Sequence, residues 1–359
     1  MSPRPAADSF EYEQMSRRQV LSATGAAGIA GIAGCLGGNG NGNGGAGNGN
    51  GQQQVGDAED IDIRYIPHGA PGQDPFWEAQ GAGWDMAVDQ LGVSASYQGP
   101  SDSANFTQQV DNIETAIDAG VDAIAVTLPD PPLFQDALQR AADEGIYVTV
   151  TNVTETGEKT MPWNGYIGQD EAAVGSELAT QSLPLYEEET GSTLSEAVIL
   201  NHDPGHSALE TRQDGIEDVL DSNDISHDWV EVPPGDPSEV ISRLGSHRAN
   251  NPDTGMIFTL GPTAGDPAID YIDNEGLQGE LYHAGCDISA NQADAINDGF
   301  NLAAVIQQPA LQAYLAAHYL TQQVMNGILT PSHTPTGPTF VDASNVDAVQ
   351  TQIDTFNVA

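Results

Sequence analysis

Two imidazoles and a carboxylate fall within the run His202-Asp203-Pro204-Gly205-His206, a grouping whose nitrogens and oxygens could hold a transition-metal ion. Pro204 and Gly205 keep the histidines from sharing one helical face, so the run is read as a loop and not as a metal site, which leaves His206 to Glu210 as candidates for ligand contact. Glu210 is then the expected ion-pair partner of Arg212. Cys286 beside Asp287 sets a thiol next to an acid, but a cysteine closing an apolar run reads as core, not as a nucleophile. A nucleophile elbow, a glycine-rich phosphate loop and a zincin motif are all absent from the sequence. No catalytic set assembles, so neither an enzyme, a resident metal nor a cofactor is expected.

Whatever positions these residues carries an unusual surface. The chain has 359 residues with 52 acidic against 9 basic side chains, a formal charge of −43, and Lys159 as its only lysine. Such a polyanion cannot displace counterions from phosphates, which excludes nucleic acid as a partner, and it gains nothing electrostatically at an anionic membrane. The acids are spread through segments with clear apolar periodicity, so the charge belongs to a folded surface suited to concentrated salt, where repulsion is screened over about 3 Å at 1 M. A halophilic protein of two domains is expected from this composition and length.

Ser16-Arg17-Arg18-Gln19-Val20-Leu21 precedes a short apolar run that ends in Ile32-Ala33-Gly34-Cys35. Paired arginines before a weakly hydrophobic stretch resemble a twin-arginine signal, and Ile-Ala-Gly-Cys resembles a lipobox, which together predict a signal over 1–35 and lipidation at Cys35. Residues 36–56 are almost wholly Gly, Asn and Gln and are expected to form a tether of roughly 25 Å typical reach. A lipidated Cys35 leaves Cys286 without a disulfide partner. The body that follows is thus expected outside the cell, anchored to the outer face of the membrane through Cys35.

From Ile61 onward, β-type runs alternate with amphipathic stretches. Strands are predicted at 61–66, 123–128 and 146–150, and helices at 76–91, 106–119 and 133–144, each helix stopped by a glycine at 92, 120 or 145. A second series follows: helices at 170–186, 207–221, 237–249 and 264–275, and strands at 196–201, 228–232, 255–260 and 280–285. The fold class is α/β, with two doubly wound parallel-sheet lobes. Lobe I is assigned 57–152 plus 308–330 and lobe II 153–307 plus 331–359, with the aperiodic stretch 152–165 as the first crossover. Ligands of such sheets bind beyond the carboxyl ends of strands, here in the cleft between lobes.

The body resembles the type 1 periplasmic binding proteins of the ribose/galactose kind. The resemblance covers most of 61–330 and rests on Asp74-Pro75-Phe76-Trp77, Ala119-Gly120-Val121-Asp122-Ala123-Ile124, Glu144-Gly145-Ile146, Ile167-Gly168-Gln169-Asp170, Arg212 before Gly215, Gly285-Cys286-Asp287 and Gln307-Gln308-Pro309, in that order. It implies hinged lobes that close over a sugar-like molecule and hand it, as a monomer, to the permease of an ATP-driven importer.

By position the resemblance also implies that Phe76 and Trp77 stack on a sugar ring, while Asp74, Asp130, Arg212, Asp287 and Gln307 hydrogen-bond its hydroxyls. The chemistry is sound, because a sugar ring has C–H faces for an aromatic side chain and hydroxyls that donate and accept together. Gly261-Pro262 stands where the family often has Asn-Asp, so one polar contact is lost or comes from Thr263. Asn152 stands where an acid is common and is assigned to ligand contact. Its Asn152-Val153-Thr154 is a glycosylation sequon, as is Asn105-Phe106-Thr107, but a glycan at Asn152 would block the cleft, so Asn105 is the candidate for modification. Two alternatives share the cleft: a sensor presenting its ligand to a signalling receptor, and a receptor for a nucleoside- or autoinducer-like furanose.

Overall fold

Short runs of apolar residues bounded by glycine and proline become the central strands, and the amphipathic stretches between them become helices that cover both faces of each sheet. A computed structural model describes residues 58–72, 75–102, 105–155, 159–233 and 235–359. The expected signal over 1–35, with Cys35, the tether over 36–56, and Asp74 lie outside the described residues.

The first lobe contains β1 (Asp62–Ile66), α1 (Pro75–Leu91), β2 (Ser94–Tyr97), α2 (Phe106–Ala119), β3 (Ala123–Val126), α3 (Pro131–Asp143), β4 (Tyr147–Asn152) and β5 (Gly165–Gly168). The second contains α4 (Glu171–Thr190), β6 (Glu196–Asn201), α5 (Ser207–Ser222), β7 (Ser226–Glu231), α6 (Pro237–Asn250), β8 (Met256–Thr259), α7 (Pro262–Asn274), β9 (Tyr282–Cys286), α8 (Ala290–Asn297) and β10 (Asn301–Ile306). The chain then recrosses through α9 (Pro309–Asn326) and β11 (His333–Pro335), and returns through β12 (Thr339–Val341) and α10 (Val346–Phe356).

Strand order is β2-β1-β3-β4-β5-β11 in one sheet and β7-β6-β8-β9-β10-β12 in the other. Every pairing is parallel except that of β10 with β12. The α/β class with two parallel-dominated lobes is therefore as the sequence implied. Central strands such as β3 (Ala-Ile-Ala-Val) and β8 (Met-Ile-Phe-Thr) are buried throughout, as strands covered by helices on both faces must be. Gly92, Gly120 and Gly145 follow their helices with φ of 68°, 73° and 80°, the left-handed conformation that lets a helix end without a Cβ penalty.

The expected lobe boundaries need correction. Residues 153–164 are not the first crossover: Asn164 Oδ1 takes the N–H of Val148 at 2.7 Å and leads into β5, which pairs with β4 in the first sheet. The chain crosses only after Gly168. Likewise β11, assigned with 331–359 to lobe II, pairs with β5 in lobe I. Both are very short strands whose place comes from neighbouring backbone rather than from an apolar run. For the same reason the sequence reading missed β2, a half-exposed edge strand of Ser-Ala-Ser-Tyr.

Helix α9 packs tightly on α1 in lobe I, and Gly83 makes this crossing possible. A Cβ at Gly83 would stand 2.0 Å from the carbonyl oxygen of Ala310. Gly83→Ala is expected to destabilise the protein by about 1 to 3 kcal/mol through overpacking. Thermal melting checks this, and an unchanged melting temperature would mean that the helices separate there at no cost.

Candidate functional site

The carboxyl ends of strands from both sheets converge on one cavity of about 80 Å³, the place that the winding of open parallel sheets predicts. From lobe I come His68, just beyond β1, Phe76 and Trp77 in the first turn of α1, and Asn152 at the end of β4. Lobe II supplies His202, Asp203 and His206 after β6, Leu209 and Arg212 on α5, Leu260 to Thr263 after β8, and Asp287 after β9. Gln307 joins them from the crossover that follows β10.

Asn152 and Asp287 close corresponding strands of the two sheets, and both take the left-handed conformation, with φ of 61° and 62°. Asn and Asp tolerate this region better than other side-chain-bearing residues, and here it turns each polar group into the cleft. Gln307 connects them: its Oε1 accepts from Asn152 Nδ2 at 2.8 Å, and its Nε2 donates to Asp287 Oδ2 at 2.9 Å. Gln312 Nε2 donates to the Gln307 carbonyl at 3.1 Å and fixes that backbone from α9. Amide and carboxylate groups from both lobes thus form one buried array.

Arg212 is only 4% exposed, yet it is fully charged because Glu171 lies beside it. Its Nε donates to Glu171 Oε2 at 2.5 Å and its Nη1 to the Leu260 carbonyl at 2.8 Å. Burial alone would lower the guanidinium's pKa, but the Glu171 carboxylate outweighs it and raises it. The partner expected for Arg212, Glu210, instead accepts the N–H of Gly205 at 3.0 Å. Sequence adjacency misleads here, because Arg212 turns toward the cleft while Glu210 folds back over its own loop.

The remaining wall is aromatic. The rings of Phe76 and Trp77 meet edge to face with centroids 4.9 Å apart, and the His68 ring meets Trp77 likewise at 4.5 Å. Burial, followed by the charge of Arg212, holds His202 down to about 4 and His206 down to about 3. His68 is well below its ordinary value through burial and then through His206 and Arg212. All are neutral imidazoles at neutral pH. Burial pushes the Cys286 thiol up to about 12, so it remains a protonated core side chain.

The cavity therefore offers apolar ring faces beside buried amides, a carboxylate and a compensated guanidinium. Such walls suit a small neutral molecule rich in hydroxyls. Among the described residues, no three His, Cys, Asp or Glu side chains are grouped so as to hold a metal ion.

A family model described as periplasmic binding protein domain matches residues 69–327, across both lobes. The chain belongs to this family. Within it, this binding protein is 25% identical over 263 residues, 68% of its length, to the xylose/arabinose-binding protein XylF of Sulfolobus acidocaldarius. It spans 63% of the length of that relative. Its structure is similar to that of an ABC sugar transporter's periplasmic sugar binding protein from Legionella pneumophila, with a TM-score of 0.71 and 27% identity, covering 77% of this chain and 99% of the other. A carbohydrate transporter from Acidothermus cellulolyticus, in complex with myo-inositol, gives a TM-score of 0.73 and 27% identity over 83% of this chain and 99% of its own.

Of the residues expected in the site of this binding protein, Phe76, Trp77, Asn152, Arg212, Asp287 and Gln307 come together around the cavity. Asp130 does not line it: the residue is exposed at the N-cap of α3, and the neighbouring Pro129 carbonyl, accepting from Ser207 N–H at 3.1 Å, makes the contact with lobe II. The Asn152 side chain is buried against Gln307, which leaves no room for a glycan. Exposed Asn105 instead caps α2 by accepting Gln108 N–H at 3.0 Å.

Sequence reasoning missed His68 altogether, whereas His206, expected at the start of a ligand-contacting stretch, does line the cavity. The signal for His68 was its place just past a parallel strand, where an isolated polar residue faces the cleft. Thr263, a substitute for the missing polar contact after β8, does line the cavity.

Proposed function

We propose that this protein captures a monosaccharide-like polyol between its lobes and delivers it to the permease of an ABC importer. The observation that carries this reading is the array Asn152–Gln307–Asp287 facing the Phe76–Trp77 pair: directional donors and acceptors opposite apolar ring faces, drawn from both lobes. The relatives named for xylose and arabinose and the one holding myo-inositol support the same ligand class. Closure of the lobes would exclude water and present the shape that the permease reads. The proposal includes lipidation at Cys35 after twin-arginine export, attachment to the outer face of the membrane, action as a monomer and life in concentrated salt; the N-terminal motifs and the charge of −43 support these. On the described residues, no helix is long and apolar enough to cross a membrane.

A thermal-shift screen in molar salt against pentoses, hexoses, inositols and nucleosides tests the reading. A ligand at 100 times its dissociation constant is expected to add about 2.7 kcal/mol of stability. Shifts from nucleosides alone would replace the sugar with a furanose-base ligand, and silence across the panel would overturn the sugar reading.

A further inference from the structure

His206 is the N-cap of α5, and its Nδ1 accepts the N–H of Ala208 at 3.2 Å. A ring nitrogen that accepts carries no proton, so the proton of this neutral imidazole sits on Nε2. That Nε2 lies 3.1 Å from Nε2 of His68, in the other lobe, which must therefore accept. The proton of His68 is then fixed on Nδ1, which faces Oγ1 of Thr127 at 2.8 Å. One directed chain of hydrogen bonds runs from the start of α5 in lobe II to the end of β3 in lobe I. Beside it, Ser207 N–H reaches the Pro129 carbonyl across the same gap at 3.1 Å.

We propose that the His206–His68 pair is a cross-lobe latch, which holds the cleft shut over its ligand and lets go when the imidazoles take up protons. The latch deepens the sugar-receptor reading and rests on it for the identity of the ligand only. A second proton on His68 would set N–H against N–H across the gap. One on His206 would set Nδ1–H against the N–H of Ala208 and unseat the ring from its cap. Both rings are buried, so neither imidazolium would reach water while the lobes stay closed.

The charges around the pair fix the sign. Arg212 on α5 and His202 in the loop after β6 face both rings and oppose protonation. From lobe I, His68 is packed by the rings of Trp77 and Phe106, at 4.5 and 6.1 Å. The Arg212 charge is itself balanced by Glu171 and, to a smaller extent, by Asp287. At the cleft mouth Asp203 is held up to about 6 by burial and then by Asp102 of the other lobe, so its protonation relieves repulsion between lobes and acts in the opposite direction. In the open form the histidines meet water and titrate near about 6.5. The closed form binds fewer protons below that pH, so acidification pulls the equilibrium toward opening.

The test uses the full chain in molar salt. Nitrogen-15 NMR of the imidazoles, without added ligand, is expected to show His206 protonated on Nε2 and His68 on Nδ1 at neutral pH, with both signatures lost together on acidification. Calorimetric affinity for D-xylose, L-arabinose and myo-inositol is expected to fall roughly 30-fold between about pH 7.5 and pH 5 for a single freed histidine. His206→Asn keeps a helix cap but not the cross-lobe bond, and is expected to bind more weakly at neutral pH with a smaller fall on acidification, because only His68 of the pair is left to take up a proton on opening. His68→Gln supplies a second variant with the same expectation.

Opposite tautomers, independent titration of the rings, or variants that retain the parent's pH dependence would each overturn the latch. Expected tautomers and coupled titration, with no affinity for any probe, would support the latch while overturning the sugar reading.

Discussion

Arg212→Met is expected to destabilise the protein by about 3 to 5 kcal/mol, the range for removing one partner of a buried ion pair. The magnitude follows from what remains. Glu171, 10% exposed, would keep its carboxylate in a site that burial already makes unfavourable for charge, and the Leu260 carbonyl would lose its donor. By contrast, Arg140 with Glu114, Asp118 and Glu144 is half in water, and such surface pairs contribute about 0 to 1 kcal/mol, less in salt.

The variant should also acquire a pH dependence of known sign. Without the guanidinium, the Glu171 carboxyl is raised further above its unfolded value, so the folded state binds more protons than the unfolded one. Stability relative to the parent is then best near and below about pH 4.3 and is lost as pH rises through the shifted value. Adding Glu171→Leu should recover most of the loss and abolish that slope, because the uncompensated charge is gone. Urea unfolding in molar salt at acidic and neutral pH measures both effects. A single variant within about 0.5 kcal/mol of the parent would show that the pair is solvated and that the burial argument fails.

The second large effect concerns affinity rather than stability. Asp287→Asn is expected to weaken sugar binding by about 1.5 to 3 kcal/mol, the contribution of a hydrogen bond to a charged group, or roughly 10- to 150-fold in Kd. Asparagine is chosen because the residue sits at φ 62°, a conformation that Asn adopts readily and Ala does not. The amide keeps the shape and can still meet Gln307 through its oxygen, while losing the charge that would accept from a ligand hydroxyl. Asp287→Ala should lose affinity and also stability, through backbone strain. Calorimetric titration beside a melting curve separates the two, and Asp287→Asn with the parent's affinity would remove this carboxylate from the ligand-contacting set.

Much of the site was legible because it sits where local rules place it. Phe76 and Trp77 open a helix just after a strand, and Asp287 closes a strand in the Gly285-Cys286-Asp287 run; such positions face the cleft in any pair of parallel sheets. Asp130 obeyed the same rule and still failed, because Pro131 starts α3 at once and leaves the acid exposed at the helix cap. His68 escaped attention because a lone histidine in a loop has no periodicity to betray it.

The sequence by itself determined the alternation of strand and helix, the glycine stops at 92, 120 and 145, the helix α2 to its last residue and the parallel, doubly wound class. These depend on spacing over a few residues and on backbone preferences that act locally. Only the tertiary structure decided that Arg212 pairs with Glu171 and not Glu210, that β5 and β11 belong to the first lobe, and that His68 meets His206. Partners separated by 41 and 138 residues leave no mark on the sequence between them. Their contact exists because the chain crosses between two sheets and returns, bringing the strand ends of both lobes to one cleft.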